Sequence, residues 1–150
     1  MDHKFIIAAI RLFESHFAIN QNYKGEKGKP IEIIHNIEIA YKNTDKILDV
    51  LVSVSSDTEN QPFRFSVAWE GSFAFKEMPS KDVLDRIARI NCASIIYPYI
   101  RESIADLTRR AAKIPLNLAP RNFVAMYEES QKEESRKPLR KALKRSKAKE

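Results

Sequence analysis

The sequence predicts an α+β fold in which a four-stranded antiparallel sheet precedes two helices. Three observations support this prediction. Four segments between residues 4 and 75 are rich in apolar residues, which largely alternate with polar ones as in strands with one covered face. Short polar turns separate most of these segments, which favours a meander or a simple Greek key. From residue 80 onward the apolar residues instead recur at the spacing of an α-helix.

The four predicted strands differ in how regular their patterns are. The first is apolar on both faces at its start and alternates only in its later half. The fourth is the most regular, because six aromatic or aliphatic residues keep one parity along its whole length. Gly71, in its middle, predicts a β-bulge or a close approach of the backbone to another element. The predicted bounds are Lys4–Ile19, Ile31–Lys42, Lys46–Ser56 and Phe63–Phe75.

Two helices are predicted after the strands. Ser80 is a suitable N-cap for the first, whose apolar residues recur from Val83 to Leu107. Pro98 lies inside this helix and is expected to kink it without ending it. A helix of this length extends beyond a four-stranded sheet, so we expect another subunit to cover part of its apolar stripe. The second helix is predicted to begin near Arg121 and to fade into a charged segment interrupted by a proline.

Positive charge is concentrated at the C-terminus. Residues 136–150 contain eight Lys or Arg and one Glu, a net charge of +7, whereas the whole chain has +6. Residues 1–135 therefore carry −1, the difference between the two values. We predict one domain, residues 1–135, followed by a disordered basic tail, residues 136–150, because like charges repel and bury nothing. The alternative is a tail that docks on an acidic protein, a nucleic acid or a membrane surface. The tail residues expected to make such contacts are Arg140, Lys141, Lys144 and Arg145.

The sequence contains no residue pattern typical of catalysis or cofactor binding. Its three glycines form no phosphate-binding motif, and its three histidines lack metal-ligand spacing to one another or to Cys92. This single cysteine excludes an intramolecular disulfide and is expected to be a packed thiol in a reducing compartment. No run of eighteen apolar residues and no signal-peptide cleavage site is present. We therefore expect a cytoplasmic protein that is not an enzyme and holds no metal or cofactor.

Two motifs in the region of the predicted helices resemble a known family. YPYIRE at residues 97–102 is similar to the aromatic-Pro-Tyr-x-Arg-Glu segment of SecB, the bacterial protein-export chaperone. LNLAPRNF at residues 116–123 is similar to the Leu-Asn-Leu-Ala-Pro-x-Asn-Phe segment of the same family. The distance between the two motifs fits the family without a gap. The strands upstream resemble SecB only in their pattern.

The resemblance implies an ATP-independent holdase, a chaperone that binds unfolded or non-native polypeptides in an apolar groove and keeps them competent for export or assembly. It also implies a homotetramer, a dimer of dimers whose long helices lie between two eight-stranded sheets, and no cofactor. The residues expected at the oligomer interface are Ile90, Tyr97, Pro98, Arg101 and Ile104.

The groove is expected between the first two strands and the segment that follows the first helix. Candidate residues of the first wall are Phe17, Ile19, Ile37 and Ile39. Candidate residues of the second wall are Leu116, Leu118, Phe123, Met126 and Tyr127. The competing interpretation is that these residues only pack the second helix onto the sheet, since apolar residues at this spacing are usually core.

The sequence departs from SecB where that family contacts its motor protein SecA through acidic and apolar residues. The positions expected to be acidic hold His16, Asn20 and Ser66, and Arg64 stands where the family has a leucine. An alignment of the first strand shifted by two residues would instead bring Glu14 to an expected acidic position. This difference gives weight to a second possibility, a dedicated SecB-like chaperone that protects the antitoxin of a toxin–antitoxin system. An alternative from another class is a nucleic-acid-binding module that acts through the basic tail, whose affinity would fall steeply with salt.

Overall fold

The computed structural model describes residues 4–25, 28, 33–56, 60–111 and 113–147, with only the backbone for residues 139 and 142–147. The chain forms two compact units, Met1–Pro120 and Arg121–Glu150. This boundary lies at the end of the loop after the first helices, whereas the sequence predicted one domain as far as residue 135.

The first unit contains a four-stranded antiparallel sheet formed by β1 (Phe5–Ile19), β2 (Asn36–Thr44), β3 (Ile47–Ser56) and β4 (Phe63–Phe75). The strand order is β1-β4-β3-β2. The strands β2, β3 and β4 are antiparallel neighbours in chain order. The first strand, β1, pairs with the other side of β4, so β1 and β2 form the two edges of the sheet. This order is the simple Greek key, one of the two topologies predicted.

Two irregularities in β1 explain why its apolar pattern changes along its length. The pairing with β4 shifts between Ile7 and Ala9 and again between Leu12 and Glu14. Each shift adds one residue to β1. Beyond each shift, the odd-numbered and even-numbered residues of β1 therefore change sides of the sheet. Leu12 and Phe17 consequently share a face although they are five residues apart, and Phe13 falls in the second irregularity rather than in the predicted alternation.

The core lies on one face of the sheet. Residues of a single parity in β3 and β4 are buried there, which confirms the parity predicted for the fourth strand: Leu48, Val50, Val52, Val54, Phe63, Phe65, Val67, Phe73 and Phe75. Gly71 has the same parity. A Cβ atom at Gly71 would lie 2.7 Å from Cε2 of Phe73 and 3.1 Å from Cδ1 of Ile96. This glycine therefore marks a close approach between β4 and a helix.

That helix covers the apolar face of the two central strands. It consists of α1 (Lys81–Arg86), a π-helical segment (Ile87–Cys92) and α2 (Ala93–Arg110), which follow one another without a break. In the π-helical segment the amide of Ala93 donates to the carbonyl of Ala88, five residues earlier. The helix continues past Pro98, as predicted. Its buried residues are Leu84, Ile87, Ala88, Cys92, Ala93, Ile96, Tyr97, Ile100, Ile104 and Thr108.

The second unit contains one helix, α3 (Phe123–Lys147). Asn122 precedes it and caps it, because its Oδ1 accepts a hydrogen bond from the amide of Ala125 at 3.1 Å. The helix continues through Pro138, so residues 136–147 are helical where a disordered tail was predicted. Two effects oppose the cost of that proline. Lys, Arg and Glu have high helix propensity, and glutamates dominate the first half of α3 while cations dominate the second, as the helix dipole favours.

Candidate polypeptide-binding surface

The four apolar residues predicted on the first two strands lie on the same face of the sheet. This is the face that carries α2, as their partners in the ladder show: Phe65 for Phe17, Phe63 for Ile19, Val54 for Ile37 and Val52 for Ile39. The helix α2 packs on β3 and β4, whereas these four residues belong to the edge strands. Ile19 is 49% exposed and the other three are half-buried. The edges of the sheet therefore keep apolar surface that α2 does not cover.

One end of this surface is fixed by a buried polar cluster and a pair of rings. Gln61 and Ser56 both donate to the carbonyl of Ile34, at 3.3 and 2.6 Å, and Asn20 donates to the carbonyl of Gln61 at 3.0 Å. These bonds join the end of β1, the end of β3 and the chain before β2. Beside them the ring of Phe17 stacks on the ring of Phe63 in β4, with 5.4 Å between the two ring centroids. The main chain is thus held in place while Ile19 keeps its exposed side chain.

The second part of the surface is the 113–120 loop, which is hydrogen-bonded to α2. Four bonds reach main-chain groups of this loop. They run from the Leu116 amide to Thr108 Oγ1 (2.9 Å), from the Lys113 amide to the Thr108 carbonyl (3.1 Å), from Arg101 Nε to the Leu118 carbonyl (2.7 Å) and from the Tyr97 hydroxyl to the Ala119 carbonyl (3.0 Å). The loop therefore lies on the side of the sheet that carries α2.

The most exposed apolar residue of this loop is neither of the two that were predicted, Leu116 and Leu118. Ile114 is 91% exposed and Leu116 is half-buried, whereas Leu118 is 4% exposed. Phe123, another predicted contact, is also 4% exposed. Leu118 and Phe123 are packed residues, so neither presents its side chain to a polypeptide in this conformation. Ile114 was missed because one isoleucine between a lysine and a proline has no periodic neighbours.

The remaining predicted contacts, Met126 and Tyr127, belong to α3 in the second unit and are half-buried. Their role in binding stays a prediction. In the tail, Arg140 and Lys141 are exposed, while the side chains of Lys144 and Arg145 lie outside the described residues.

The residues predicted at an oligomer interface divide into two groups. Ile104 and Tyr97 are buried within the protomer, and Arg101 and Tyr97 bond to the 113–120 loop. Their helix face packs on the sheet and the loop, which leaves Ile104 no surface for a second subunit. Ile90 is half-buried and Pro98 is exposed, so these two stay available.

The described part of the chain offers no group of three or more His, Cys, Asp or Glu side chains that could hold a metal ion. Cys92 is fully buried on the π-helical segment, and burial raises the pKa of its thiol to about 12. A thiol held in its neutral form is a poor nucleophile, in agreement with the packed role predicted for it.

The hydrogen bond from Arg109 lowers the pKa of the Asp106 carboxyl, which also pairs with Arg110 at 2.9 Å. These ion pairs lie within the last turns of α2 and stabilise them. Within the described residues, no helix is long and apolar enough to cross a membrane.

Comparisons with known proteins give this surface a family context. Residues 13–134 match the family model of the preprotein translocase subunit SecB. A protein-export protein SecB of Neisseria meningitidis, serogroup A, is 33% identical over 99 residues, which are 66% of this chain and 65% of that protein. The SecB of Aromatoleum aromaticum is 37% identical over 84 residues, 56% of this chain and 52% of the relative. The matched segments thus span less than two thirds of the length of these relatives.

The fold of this chain is similar to that of proteins with solved structures. A SecB-like chaperone of Mycobacterium tuberculosis, in complex with a ChAD peptide from the HigA1 antitoxin, superposes with a TM-score of 0.66 at 22% identity. This match covers 77% of the present chain and 89% of the chaperone. A protein of unknown function from Streptococcus agalactiae superposes with a TM-score of 0.55 at 12% identity, covering 79% of this chain and 99% of that one.

Proposed function

This chain belongs to the SecB family, and from that premise we propose that it is an ATP-independent holdase for unfolded or non-native polypeptides. It binds them on the surface formed by β1, β2 and the 113–120 loop. The observations that support this most directly are the exposed Ile19 on the sheet face that carries α2 and the exposed Ile114 on the loop that is hydrogen-bonded to α2. Both residues lie within the region that matches the family model.

Binding on such a surface requires no chemical step. Burying an exposed isoleucine stabilises a complex by roughly 1.5–3 kcal/mol, so one contact alone is weak. Several contacts along one extended chain combine through their high effective concentration. A protein that binds the unfolded chain better than the folded one draws the polypeptide away from folding by mass action.

The proposal includes a homotetramer in the cytoplasm that uses neither a cofactor nor an enzymatic activity. The match of residues 13–134 to the SecB family model supports this proposal. The neutral, buried state of Cys92 agrees with a binding protein rather than with a thiol enzyme.

The decisive experiment is light scattering of a chemically unfolded reporter protein diluted into buffer at about 0.2 M salt, without nucleotide. The wild-type protein is expected to suppress aggregation. The double variant Ile19→Ser, Ile114→Ser is expected to need at least about thirtyfold more protein for the same effect, because it removes two exposed apolar contacts worth about 1 kcal/mol or more each. Its native mass and circular dichroism should remain those of the wild type.

Ile6→Ser is the matched control. Ile6 is 70% exposed and pairs with Ala74, which places it on the opposite face of the sheet. This variant should suppress aggregation as the wild type does. Equal suppression by the double variant and the wild type would refute the proposed surface, and no suppression by the wild type would refute the holdase.

A dedicated chaperone of a toxin–antitoxin system is the second candidate. The observation that favours it concerns the face where export members of the family meet SecA. Arg64 and Ser66 lie on the sheet face away from α2, where their partners in β1 are Ala18 and His16, so none of these four positions holds a carboxylate. The carboxylate of β1 on this face belongs to Glu14, which pairs with Ala68. Asn20 instead belongs to the polar cluster with Gln61. The M. tuberculosis chaperone of similar fold is bound to an antitoxin peptide. Repeating the assay with several unrelated reporters separates the candidates, because a dedicated chaperone would protect few of them.

A further inference from the structure

Thr108 joins the last turns of α2 to the 113–120 loop. Its side chain is fully buried, and its hydroxyl has partners on both sides. It donates within α2, to the carbonyls of Ile104 and Ala105 at 2.9 and 3.0 Å, and accepts from the amide of Leu116 at 2.9 Å. The carbonyl of Thr108 accepts a further bond from the loop. One buried residue therefore fixes two points of the loop.

Two more residues of α2 fix the far end of the loop. Arg101 donates to the carbonyl of Leu118 and Tyr97 to the carbonyl of Ala119, at 2.7 and 3.0 Å. All these bonds involve the main chain of the loop, so they are independent of which side chains the loop carries. Pro115, in the middle of the loop, restricts the remaining backbone freedom further.

We propose that Thr108, assisted by Arg101 and Tyr97, is a positioning residue for polypeptide binding. It holds the loop so that Ile114 and Leu116 are ordered before the polypeptide arrives. An ordered loop avoids the entropy cost of being fixed on binding, and this raises affinity without any additional contact. The inference rests on the proposed function, since it assigns a role to the support of the same surface.

Thr108→Val tests the role of the hydroxyl, because valine keeps the shape of threonine and removes only the bonding group. The readout is the affinity for a fluorescently labelled unfolded polypeptide, measured by anisotropy. We expect binding about fivefold weaker than that of the wild type, the effect of one hydrogen bond. Hydrogen exchange at the Leu116 amide should become faster at the same time. Thr108→Ser keeps the hydroxyl and should bind within about twofold of the wild type, with the Leu116 amide still protected.

The serine variant also separates positioning from stability. It deletes a fully buried methyl group, so its free energy of unfolding should fall even though its binding is retained. If Thr108 served stability alone, both variants would unfold more easily and still bind with wild-type affinity, and that result would overturn the inference. Unchanged affinity of Thr108→Val, or an unchanged exchange rate at Leu116, would overturn it as well.

Tyr97→Phe provides a second test if Thr108→Val does not fold. It removes only the hydroxyl that bonds to Ala119, so weaker binding is expected and wild-type affinity would contradict the inference. The proposed function fails in a different way, namely when the wild-type protein itself binds no unfolded polypeptide. The positioning role would then fall with it, whereas failure of the inference alone leaves wild-type binding intact.

Discussion

Gly71 occupies a position where the sheet and the helix leave no room for a side chain. A Cβ atom would come within 2.7 Å of Phe73, whose ring is fully buried, and within 3.1 Å of Ile96. Neither neighbour can move without disturbing the core, since protein interiors are close-packed.

We therefore expect Gly71→Ala to lower the free energy of unfolding by about 1–3 kcal/mol, the usual cost of overpacking. Denaturation in urea measures this as a lower midpoint with an unchanged slope. Ser66→Ala, on the opposite face of the same strand, should change stability by less than about 0.5 kcal/mol. Equal stability of Gly71→Ala and the wild type would mean that the contact relaxes at no cost.

Single residues also show what the sequence could reveal. The parity of β4 was predictable because one face of a central strand is buried along its whole length, and burial imposes alternation. The exposure of Ile114 and the burial of Leu118 were not predictable, because the residues of a loop follow no periodic pattern. Which leucine is buried depends on the hydrogen bonds that Thr108, Arg101 and Tyr97 make with the loop. Those donors and acceptors come from α2, at sequence distances that no local pattern encodes.

Among the elements, α3 is one in which the sequence pattern and the structure differ. The run of positive charge in residues 136–150 suggested a solvated tail. The same lysines and arginines are also good helix formers, so this segment can be both highly charged and helical. The strand β1 also differs from its predicted pattern, again for a reason that lies outside the local sequence. Its two register shifts depend on pairing with β4, which follows it by more than forty residues.

Deleting residues 136–150 removes the basic half of α3. We expect the truncated protein to suppress aggregation as well as the full chain at about 0.2 M salt, because the proposed surface lies in the first unit and contains none of these residues. The variant Arg140→Gln, Lys141→Gln is the milder control and should behave in the same way. Loss of suppression on truncation would show that the basic half of α3 takes part in binding.

For the molecule as a whole, the helix surface that the protomer does not use determines how it can assemble. Ile104 was expected at an interface but is needed inside the protomer, so Ile90 and Pro98 are the predicted interface residues that stay accessible. The sequence could not separate these roles, since buried and intersubunit positions of a helix follow the same period.

Ile90→Asp is expected to reduce the native mass from about four times 17.3 kDa to a smaller species, because an unpaired carboxylate is costly to bury in an interface. Light scattering coupled to gel filtration measures this mass. Ile114→Asp places the same substitution on the loop and should leave the mass unchanged. A tetramer that persists in Ile90→Asp would exclude this part of the helix from the assembly.

The π-helical segment Ile87–Cys92 constrains how the chain could change in length. Each residue of a helix advances the following ones by about 100°. Deleting one residue from α1 would therefore rotate Tyr97, Arg101 and Thr108 away from the loop they hold, although no deleted atom touches that loop. A deletion inside the π-helical segment would rotate them less, because the shortened turn can close with α-helical hydrogen bonds. Elsewhere between the start of α1 and Thr108, length changes are restricted by rotation rather than by available space, and tolerated ones should concentrate in the π-helical segment and in the turns between the strands.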